Sequence, residues 1–289
     1  MGYEIYTDSC ANLTDEQIDD LKLNIITMEF FMGGKAYRSY TRGERSNLKQ
    51  FYTKMREKEI VTTSQINHDT FIHAFRDDLQ RGKDILYIAF SSGLSGTFQA
   101  ARLAAQDLME TYPERKVLVV DSLAASMGQG LLVYHACMQR DAGLGLEELA
   151  KWVEDNRLKL CHWFTVDDLF FLKRGGRLSS ASAVLGTLLG VKPVLHVDDE
   201  GHLILMGKAR GRKKALEALV EHMERTVEKP EEQVIFISHG DCIEDAQIVA
   251  QMVREKLKVK DIVINYIDPV IGGHSGPGTV ALFFLGTVR

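Results

Sequence analysis

Short apolar runs that alternate with longer amphipathic segments constrain the fold of this 289-residue chain more than any other feature of its sequence. The short runs are rich in β-branched residues and predict strands at residues 4–7, 24–31, 84–90, 117–121, 162–166, 191–197, 233–238, 261–266 and 279–285. The longer segments predict helices at residues 67–81, 95–111, 126–142, 146–156, 212–228 and 244–257. Parallel strands require long connections, which helices usually supply. The pattern therefore predicts an α/β fold with largely parallel strands.

The chain divides most naturally after residue 160. Only five prolines occur, and no Gly-, Ser- or Pro-rich stretch forms a linker, but a new set of strands begins at this point. We therefore predict an N-terminal α/β lobe at residues 1–160 and a C-terminal α/β lobe at residues 161–289. Two lobes without a flexible linker should pack against each other, and such a seam is a favoured position for a ligand.

The charge balance and the cysteines narrow the class of protein. The chain has 35 Lys and Arg against 40 Asp and Glu, a net charge of −5 that argues against a general nucleic-acid binder. The four cysteines form no C-x-x-C pair, which indicates isolated thiols in a reducing compartment rather than a metal site or disulfides. The acidic N-terminus does not resemble a secretion signal, and the longest apolar tract, 184–195, is too short and interrupted to cross a membrane. We expect a soluble, cytoplasmic protein without integral membrane association.

A turn rich in hydroxyl groups, residues 91–97 (SSGLSGT), follows one predicted strand and opens the next predicted helix. The free amides and the dipole of a helix N-terminus favour an anion, and the hydroxyls of Ser95 and Thr97 would add donors. Plain N-capping by Ser95 is the alternative. The turn has neither a lysine nor a P-loop pattern, which favours a small, singly charged anion such as a carboxylate over a nucleotide. Apolar neighbours at Phe90 and Leu94 suggest that the rest of the ligand is apolar.

Two further hydroxyl clusters lie near predicted strand ends. Residues 62–65 (TTSQ) precede the helix at 67–81, and Asp121 and Ser122 end the strand at 117–121. Ligands of parallel sheets bind outside the carboxyl ends of the strands, where we expect these clusters and the 91–97 turn to meet. Asp8, after the first strand, is expected mainly to form an Asx turn.

Two other segments carry unusual side chains. His274 lies in the segment 268–279 (DPVIGGHSGPGT), which we predict to be an irregular loop that holds the imidazole where it could donate to a carboxylate oxygen. Positive residues cluster at 173–177 (KRGGR) and at 208–214 (KARGRKK), and the second run lies near a helix N-terminus, where the dipole disfavours positive charge. We interpret this second run as a docking patch for an acidic or phosphate-bearing partner.

Taken in chain order, the motifs TDS, TTSQ, SSGLSGT, SMGQGLL, KRGGRLS, GVKPVL, SHGD and DPVIGGHSGPG resemble those of the DegV family of fatty acid-binding proteins, over almost the whole chain. The resemblance implies two α/β lobes with a long-chain fatty acid in a tunnel between them, and no cofactor. It also implies binding and presentation rather than catalysis by this chain. Family members present the acyl carboxylate to a partner fatty acid kinase, and the resulting acyl-phosphate enters phospholipid synthesis.

By motif position, the resemblance assigns the carboxylate-binding hydroxyls to Thr63 and Ser95. The residues that would support them are Ser64, Gly96, Ser122 and His274. The side that would face the kinase carries Arg177, Arg210, Arg212 and Lys213. The chain departs from the family pattern at Ile66, where proline is frequent, and at Asp268, where glycine is frequent.

Two other functions are compatible with parts of the sequence. A serine hydrolase would use Ser95, Asp121 and His274, which follow the chain order of a catalytic triad, although Gly96 directly after the serine breaks the G-x-S-x-G pattern. A nucleic-acid-binding regulator would use the basic run 208–214 and would bind DNA or RNA in a salt-sensitive manner.

Overall fold

The computed structural model describes residues 2–44, 47–178 and 190–289. Its strands are β1 (Tyr3–Asp8), β2 (Asn24–Ile26), β3 (Glu29–Met32), β4 (Lys35–Arg38), β5 (Val61–Ser64), β6 (Asp84–Ala89), β7 (Val117–Asp121), β8 (Leu160–Thr165), β9 (Val191–Val197), β10 (Leu203–Arg210), β11 (Val234–His239), β12 (Asp261–Tyr266) and β13 (Val280–Leu285). Its α-helices are α1 (Asp15–Asp20), α2 (Leu48–Arg56), α3 (His68–Gln80), α4 (Thr97–Thr111), α5 (Met127–Asp141), α6 (Leu146–Asn156), α7 (Phe170–Arg174), α8 (Arg212–Thr226), α9 (Ile243–Lys256) and α10 (Pro269–Ser275).

The strands form three sheets. A parallel four-stranded sheet has the order β2-β1-β6-β7, and a small antiparallel sheet has the order β4-β3-β5. The third sheet has six strands in the order β10-β9-β8-β13-β11-β12, and only β11 and β12 are parallel in it. The predicted α/β class is therefore confirmed.

The expectation of largely parallel strands is wrong for the six-stranded sheet. A tight turn at residues 198–202, in which Gly201 has a φ of +80°, joins β9 to β10, and so short a connection can link only antiparallel strands. The sequence pattern does not predict β10, because it is an edge strand without a buried residue, in which the exposed Met206, Lys208 and Arg210 alternate with half-buried residues. Lys208 and Arg210 lie in this strand, so only the end of the basic run belongs to a helix N-terminus, that of α8.

Two more predicted segments differ from the structure. Residues 24–31 form two strands in different sheets, because the chain changes direction at Thr27, whose hydroxyl donates to the carbonyl of Tyr40 at 2.9 Å. The 62–65 cluster lies mainly in β5, where Thr63 pairs with Phe30, so it does not follow a strand of the parallel sheet as predicted. The pattern also misses β4, α1, α2, α7 and α10, none of which exceeds nine residues.

The two predicted lobes share a hydrophobic core. The strands of the first two sheets all precede residue 122, and those of the third sheet begin at residue 160. Helix α5 packs against β8, β11 and β13 on what we call the inner face of the six-stranded sheet. Leu132 of α5, Leu195 of β9 and Phe236 of β11 belong to one apolar cluster. The lobe boundary at 160/161 stays a prediction. Helix α5 precedes this boundary in the chain but packs against strands of the six-stranded sheet.

No helix in the described ranges has both the length and the apolar character needed to span a membrane. The apolar tract 184–195 is described only from residue 190, where it becomes β9; residues 184–189 lie outside the described part of the chain. The four cysteines are unpaired, and three of them are buried.

The carboxylate of Asp8 joins three elements at the carboxyl edge of the parallel sheet. Asp8 ends β1, is fully buried, and accepts hydrogen bonds from the Tyr87 hydroxyl (2.8 Å), the Phe90 amide (3.0 Å), the Gln129 side chain (3.0 Å) and the Cys10 amide (3.1 Å). The last of these is the predicted Asx turn. Burial raises the pKa of Asp8, and its hydrogen-bond donors oppose that rise. The network connects β1, β6 and α5 just before the 91–97 turn.

We expect Asp8→Ala to lower the free energy of unfolding by about 3 kcal/mol or more, because several buried donors would lose their acceptor and each costs about 1–3 kcal/mol. Asp8→Asn keeps one acceptor oxygen and should cost less, and Tyr87→Phe should cost least. Urea unfolding followed by circular dichroism measures this order. An Asp8→Ala protein as stable as the wild type would show that the network does not hold the sheet edge.

Candidate functional site

A cavity of about 270 Å³ lies between the carboxyl edge of the parallel sheet and the inner face of the six-stranded sheet. Its wall includes residues of β5, the 91–97 turn, the N-terminus of α5, α10 and several strands of the six-stranded sheet. Most of the lining is apolar, and it includes Phe90, Phe164, Leu203 and Phe283. Both predicted lobes contribute to this wall, so the cavity lies at the seam where the sequence predicts a ligand.

Three polar residues of the cavity wall come from separate elements, and we call them the head cluster: Thr63, Ser95 and His274. Thr63 Oγ1 lies 2.8 Å from His274 Nε2, although 211 positions separate the two residues in the sequence. Ser95 Oγ lies 2.9 Å from Thr97 Oγ1, which accepts a hydrogen bond of 3.3 Å from the amide of Ile66. The segment around β5 and the 91–97 turn are thereby linked, and all three residues line one cavity.

Gly96 leaves room for the terminal amide of Gln65. A Cβ at this position would lie 2.1 Å from Gln65 Oε1 and 3.0 Å from Gln65 Cδ, so the Gln65 side chain would have to move. Helix α4 begins at Thr97 with Gly96 as its N-cap. The Ser95 hydroxyl accepts a hydrogen bond of 3.3 Å from the amide of Thr97 and also lines the cavity. Gly96 rather than Ser95 is the N-cap, although the Ser95 hydroxyl still partners the first amide of the helix.

The segment that carries His274 is a short helix rather than the predicted irregular loop. The Asp268 side chain accepts hydrogen bonds from the amides of Val270 (3.1 Å) and Ile271 (3.2 Å), and Pro269 occupies the first helical position. Gly276 ends the helix with a φ of +84°. An Asp followed by Pro is a helix-start signal that the sequence contains. His274 is thus held in the last turn of α10.

Burial keeps the imidazole of His274 neutral. It lowers the pKa of His274 to about 4, and the nearby positive charges of Arg177 and Arg174 lower it further in the same direction. At neutral pH the ring therefore has one donor nitrogen and one acceptor nitrogen. This ring can orient a hydroxyl neighbour, but it adds no charge to the site.

Arg177 lies in the cavity wall, although the resemblance assigns it to the side that faces the kinase. Its guanidinium donates to the carbonyls of Leu94 (3.2 Å) and Gly175 (2.5 Å), and burial lowers its pKa. Among the described lining residues it is the one Lys or Arg. The sequence predicts hydroxyl donors around the anion, because the 91–97 turn has no lysine. The structure adds the positive charge of Arg177 to this site.

The structure distributes the other predicted residues differently. Ser64 and Gly96 line the cavity, whereas Ser122 does not, since its hydroxyl accepts from the amide of Ala124 at 3.1 Å within its own turn. Arg210 and Lys213 are exposed and lie outside the cavity wall. Arg212 is largely enclosed.

The enclosure of Arg212 comes from contacts on two sides of its guanidinium. Nε donates to the Asp245 carboxylate at 2.9 Å, and Nη2 donates to the carbonyl of Gly278 at 2.6 Å. Only 20% of the side chain is exposed. Arg212 therefore joins α8, α9 and the segment before β13, and a structural role accounts for its position.

The alternative hydrolase triad is not assembled. His274 Nε2 contacts Thr63 rather than Ser95, and the Asp121 carboxylate accepts from the amides of Ser92 (3.2 Å) and Leu123 (3.0 Å). A triad needs the histidine within hydrogen-bond reach of both the serine and the acid. No group of three or more His, Cys, Asp and Glu in the described part of the chain could hold a metal ion. The geometry gives no support to a hydrolase.

Sequence reasoning did not single out several polar residues of the cavity wall, namely Ser126, His162 and Ser238. On β8, His162 and Phe164 face the cavity, whereas Cys161 and Trp163 belong to the core on the opposite face. The alternation of side chains along a strand could have placed His162 on the same face as Phe164. Which face borders a cavity, however, depends on the packing of α5.

Comparisons with known proteins agree over nearly the full chain. The family model described as "Uncharacterised protein, DegV family" matches residues 3–287. A DegV domain-containing protein of Clostridium perfringens strain 13 is 46% identical over 287 residues, which cover 99% of this chain and 98% of that protein.

Solved structures extend the agreement to the fold. A DegV family protein from Thermus thermophilus, described by its fatty acid binding, has a TM-score of 0.87 and 31% identity, with 99% of this chain and 100% of that chain covered. DegV of Bacillus subtilis, a fatty acid binding protein, has a TM-score of 0.84 and 29% identity, with 99% and 100% covered. This chain belongs to the DegV family.

Proposed function

We propose that this protein binds a long-chain fatty acid in the cavity and presents its carboxylate to a partner fatty acid kinase. The observation that carries the proposal is one mostly apolar cavity whose wall contains the hydroxyls of Thr63 and Ser95 and the half-buried Arg177. An apolar wall suits an acyl chain, and these polar groups suit a carboxylate. The fatty acid binding of the relatives from Thermus thermophilus and Bacillus subtilis supports the same ligand class.

The head cluster can supply the donors that a carboxylate needs. The contact between Thr63 and His274 contains one shared hydrogen. When His274 Nε2 carries that hydrogen and donates it to Thr63, the hydroxyl hydrogen of Thr63 is free for the ligand. Ser95 offers a second hydroxyl, and Arg177 attracts the negative charge. In this arrangement His274 is a positioning residue, and Thr63 and Ser95 contact the carboxylate.

Presentation means that the carboxylate is oriented for phosphoryl transfer. A carboxylate oxygen forms a bond to the γ-phosphorus of ATP, the bond from that phosphorus to the bridging oxygen breaks, and ADP leaves. The partner kinase supplies the ATP site, and this chain supplies the oriented carboxylate. The acyl-phosphate would serve phospholipid synthesis, and the need for ATP supports a cytoplasmic location as part of this proposal.

The kinase would dock on the exposed basic residues at the end of β10 and the start of α8. Lys208, Arg210 and Lys213 are exposed there, on a chain with a net charge of −5. A local positive surface of this kind attracts an acidic partner. Arg212 is excluded from the docking set because it pairs with Asp245.

The first test is the ligand itself. Mass spectrometry of an organic extract from the purified protein should detect a C14–C18-type acid in a roughly one-to-one ratio, because each buried methylene contributes about 0.8 kcal/mol. Lipid-free protein should also take up such an acid when it is added. If repeated preparations contain no extractable lipid and the lipid-free protein takes up no added acid, the proposal is refuted.

The second prediction concerns the head cluster. Thr63→Ala and Ser95→Ala should each raise the dissociation constant of the fatty acid about three- to tenfold, because one hydrogen bond to the carboxylate is lost. Kinase turnover should fall further, about 100-fold, because transfer depends on orientation. Ser92→Ala is the matched control, since this serine belongs to the same turn but not to the cavity wall. Wild-type turnover in both hydroxyl variants would place the carboxylate elsewhere.

The third prediction separates docking from acid binding. Replacing Arg210 and Lys213 together by Glu should leave acid affinity within about twofold and raise the KM of the kinase for the loaded protein about tenfold at low salt. Added salt should reduce this difference. The matched control is the double variant Lys258→Glu and Lys260→Glu. It makes the same charge change beside β12, at the opposite edge of the six-stranded sheet. Equal effects of the two double variants on KM would argue against a specific docking surface.

A further inference from the structure

His162 is a buried polar side chain of the cavity wall, between Phe283 and the first turn of α5. It lies on β8, is 1% exposed, and lines the cavity. Its ring packs against the edge of Phe283, with ring centroids 5.6 Å apart, and lies over Gly128 in the first turn of α5. A Cβ at Gly128 would come within 2.4 Å of His162 Nε2, so the absence of a side chain there makes room for the imidazole.

Neither ring nitrogen of His162 has a hydrogen-bond partner among the described residues. Burial, with help from the charge of Arg289 and from His196, lowers the pKa of His162 well below its usual value, so the ring is neutral. A neutral imidazole has one donor and one acceptor, and an unmatched buried polar group costs about 1–3 kcal/mol. The ring therefore has hydrogen-bonding capacity that the described residues do not use.

The position of His162 along the cavity is set by strand pairing. Thr279 lines the cavity next to α10, and its hydroxyl contacts the carbonyls of Ser275 and Gly276. Phe283, the direct partner of His162 across the sheet, lies four residues further along β13, which is about 13 Å at ~3.3 Å per residue. The imidazole is thus displaced along β13 from the end of the cavity where α10 and His274 lie, and we infer that it borders the acyl tail rather than the carboxylate.

Two other polar side chains on this wall are already matched. Ser126 Oγ lies 2.8 Å from Asn12 Oδ1 and 3.0 Å from Ser238 Oγ. Asn12 Oδ1 can only accept, so Ser126 donates to it and Ser238 donates to Ser126. Both hydroxyl hydrogens are then used within the protein. Among the described lining residues, the buried side-chain atoms without a partner are therefore the two ring nitrogens of His162 and the hydroxyl of Ser275, which follows His274 in α10.

We propose that His162 forms a subsite for a hydroxyl group on the distal half of the bound acyl chain, so that the cavity accepts hydroxylated long-chain fatty acids. This inference rests on the proposed function, because it assumes that an acyl chain fills the cavity. A hydroxyl has one donor hydrogen and two acceptor lone pairs, which complement the donor and the acceptor of a neutral imidazole. A charged substituent would find no counter-ion beside Phe283 and Phe164, so the partner is a neutral group.

The test compares stearic acid with three hydroxystearic acids that carry the hydroxyl beside the carboxyl group, at mid-chain or near the methyl end. Dissociation constants are measured by titration of lipid-free protein at neutral pH. The wild type should bind at least one of the two acids with a distal hydroxyl as tightly as stearic acid or more tightly. In an unmatched apolar cavity, both would bind at least about tenfold more weakly. If the wild type binds both acids with a distal hydroxyl at least about tenfold more weakly than stearic acid, the proposed subsite is overturned, and no variant is needed to show it.

Variants assign the effect to the imidazole. His162→Leu should reduce the preference for the favoured hydroxylated acid over stearic acid about three- to tenfold, and His162→Gln, which keeps a donor and an acceptor, should restore most of it. Phe283→Leu is the matched control, because it changes the volume beside the same ring and leaves the imidazole in place. The acid hydroxylated beside its carboxyl group should respond to none of these changes.

The outcomes separate the two proposals. An unchanged preference in His162→Leu would show that a bound water, rather than the ligand, partners the ring, and would overturn the subsite alone. Failure of the wild type to bind any of the four acids would refute the proposed function itself.

Discussion

A buried carboxylate has to be surrounded by donors, and the donors around Asp8 organise the edge of the sheet on which the cavity depends. The amide of Phe90 donates to Asp8 one residue before the 91–97 turn, so the carboxylate determines where that turn leaves the sheet. The side chain of Gln129 donates to the same oxygen and attaches α5 to the network. Because α5 also packs on the six-stranded sheet, one carboxylate couples the serine-rich turn to the opposite wall of the cavity.

The cavity combines two kinds of surface that come from different parts of the chain. Its apolar wall comes largely from side chains of the six-stranded sheet and offers about 25 cal/mol per Å² of buried apolar area, whatever the orientation of the ligand. In the proposed function the head cluster and Arg177 add direction, because hydroxyls and a guanidinium recognise a carboxylate only in certain positions. Under the proposed function, affinity and orientation would therefore be supplied by separate residues, as presentation of a ligand to a kinase requires.

The sequence pattern was most accurate where an element is long and its signals are local. Helix α6 has the predicted bounds, and α8 begins at the predicted residue, because apolar periodicity defines such helices. Short elements were missed for identifiable reasons. Strand β5 has only four residues, and the glycines around His274 obscured the Asp-Pro start of α10. The TTSQ and SSGLSGT segments nevertheless line the predicted seam.

By itself, the sequence determined the α/β class, most of the long elements, and the hydroxyl-rich segments that line the cavity, because propensities, caps and periodicity lie in neighbouring residues. Only the tertiary structure decided which candidate side chains share the site. It brought Thr63 within 2.8 Å of His274, turned Arg177 into the cavity wall and paired Arg212 with Asp245. These contacts join residues between 33 and 211 positions apart. They depend on how α5 and the sheets pack together, and no local pattern encodes that packing.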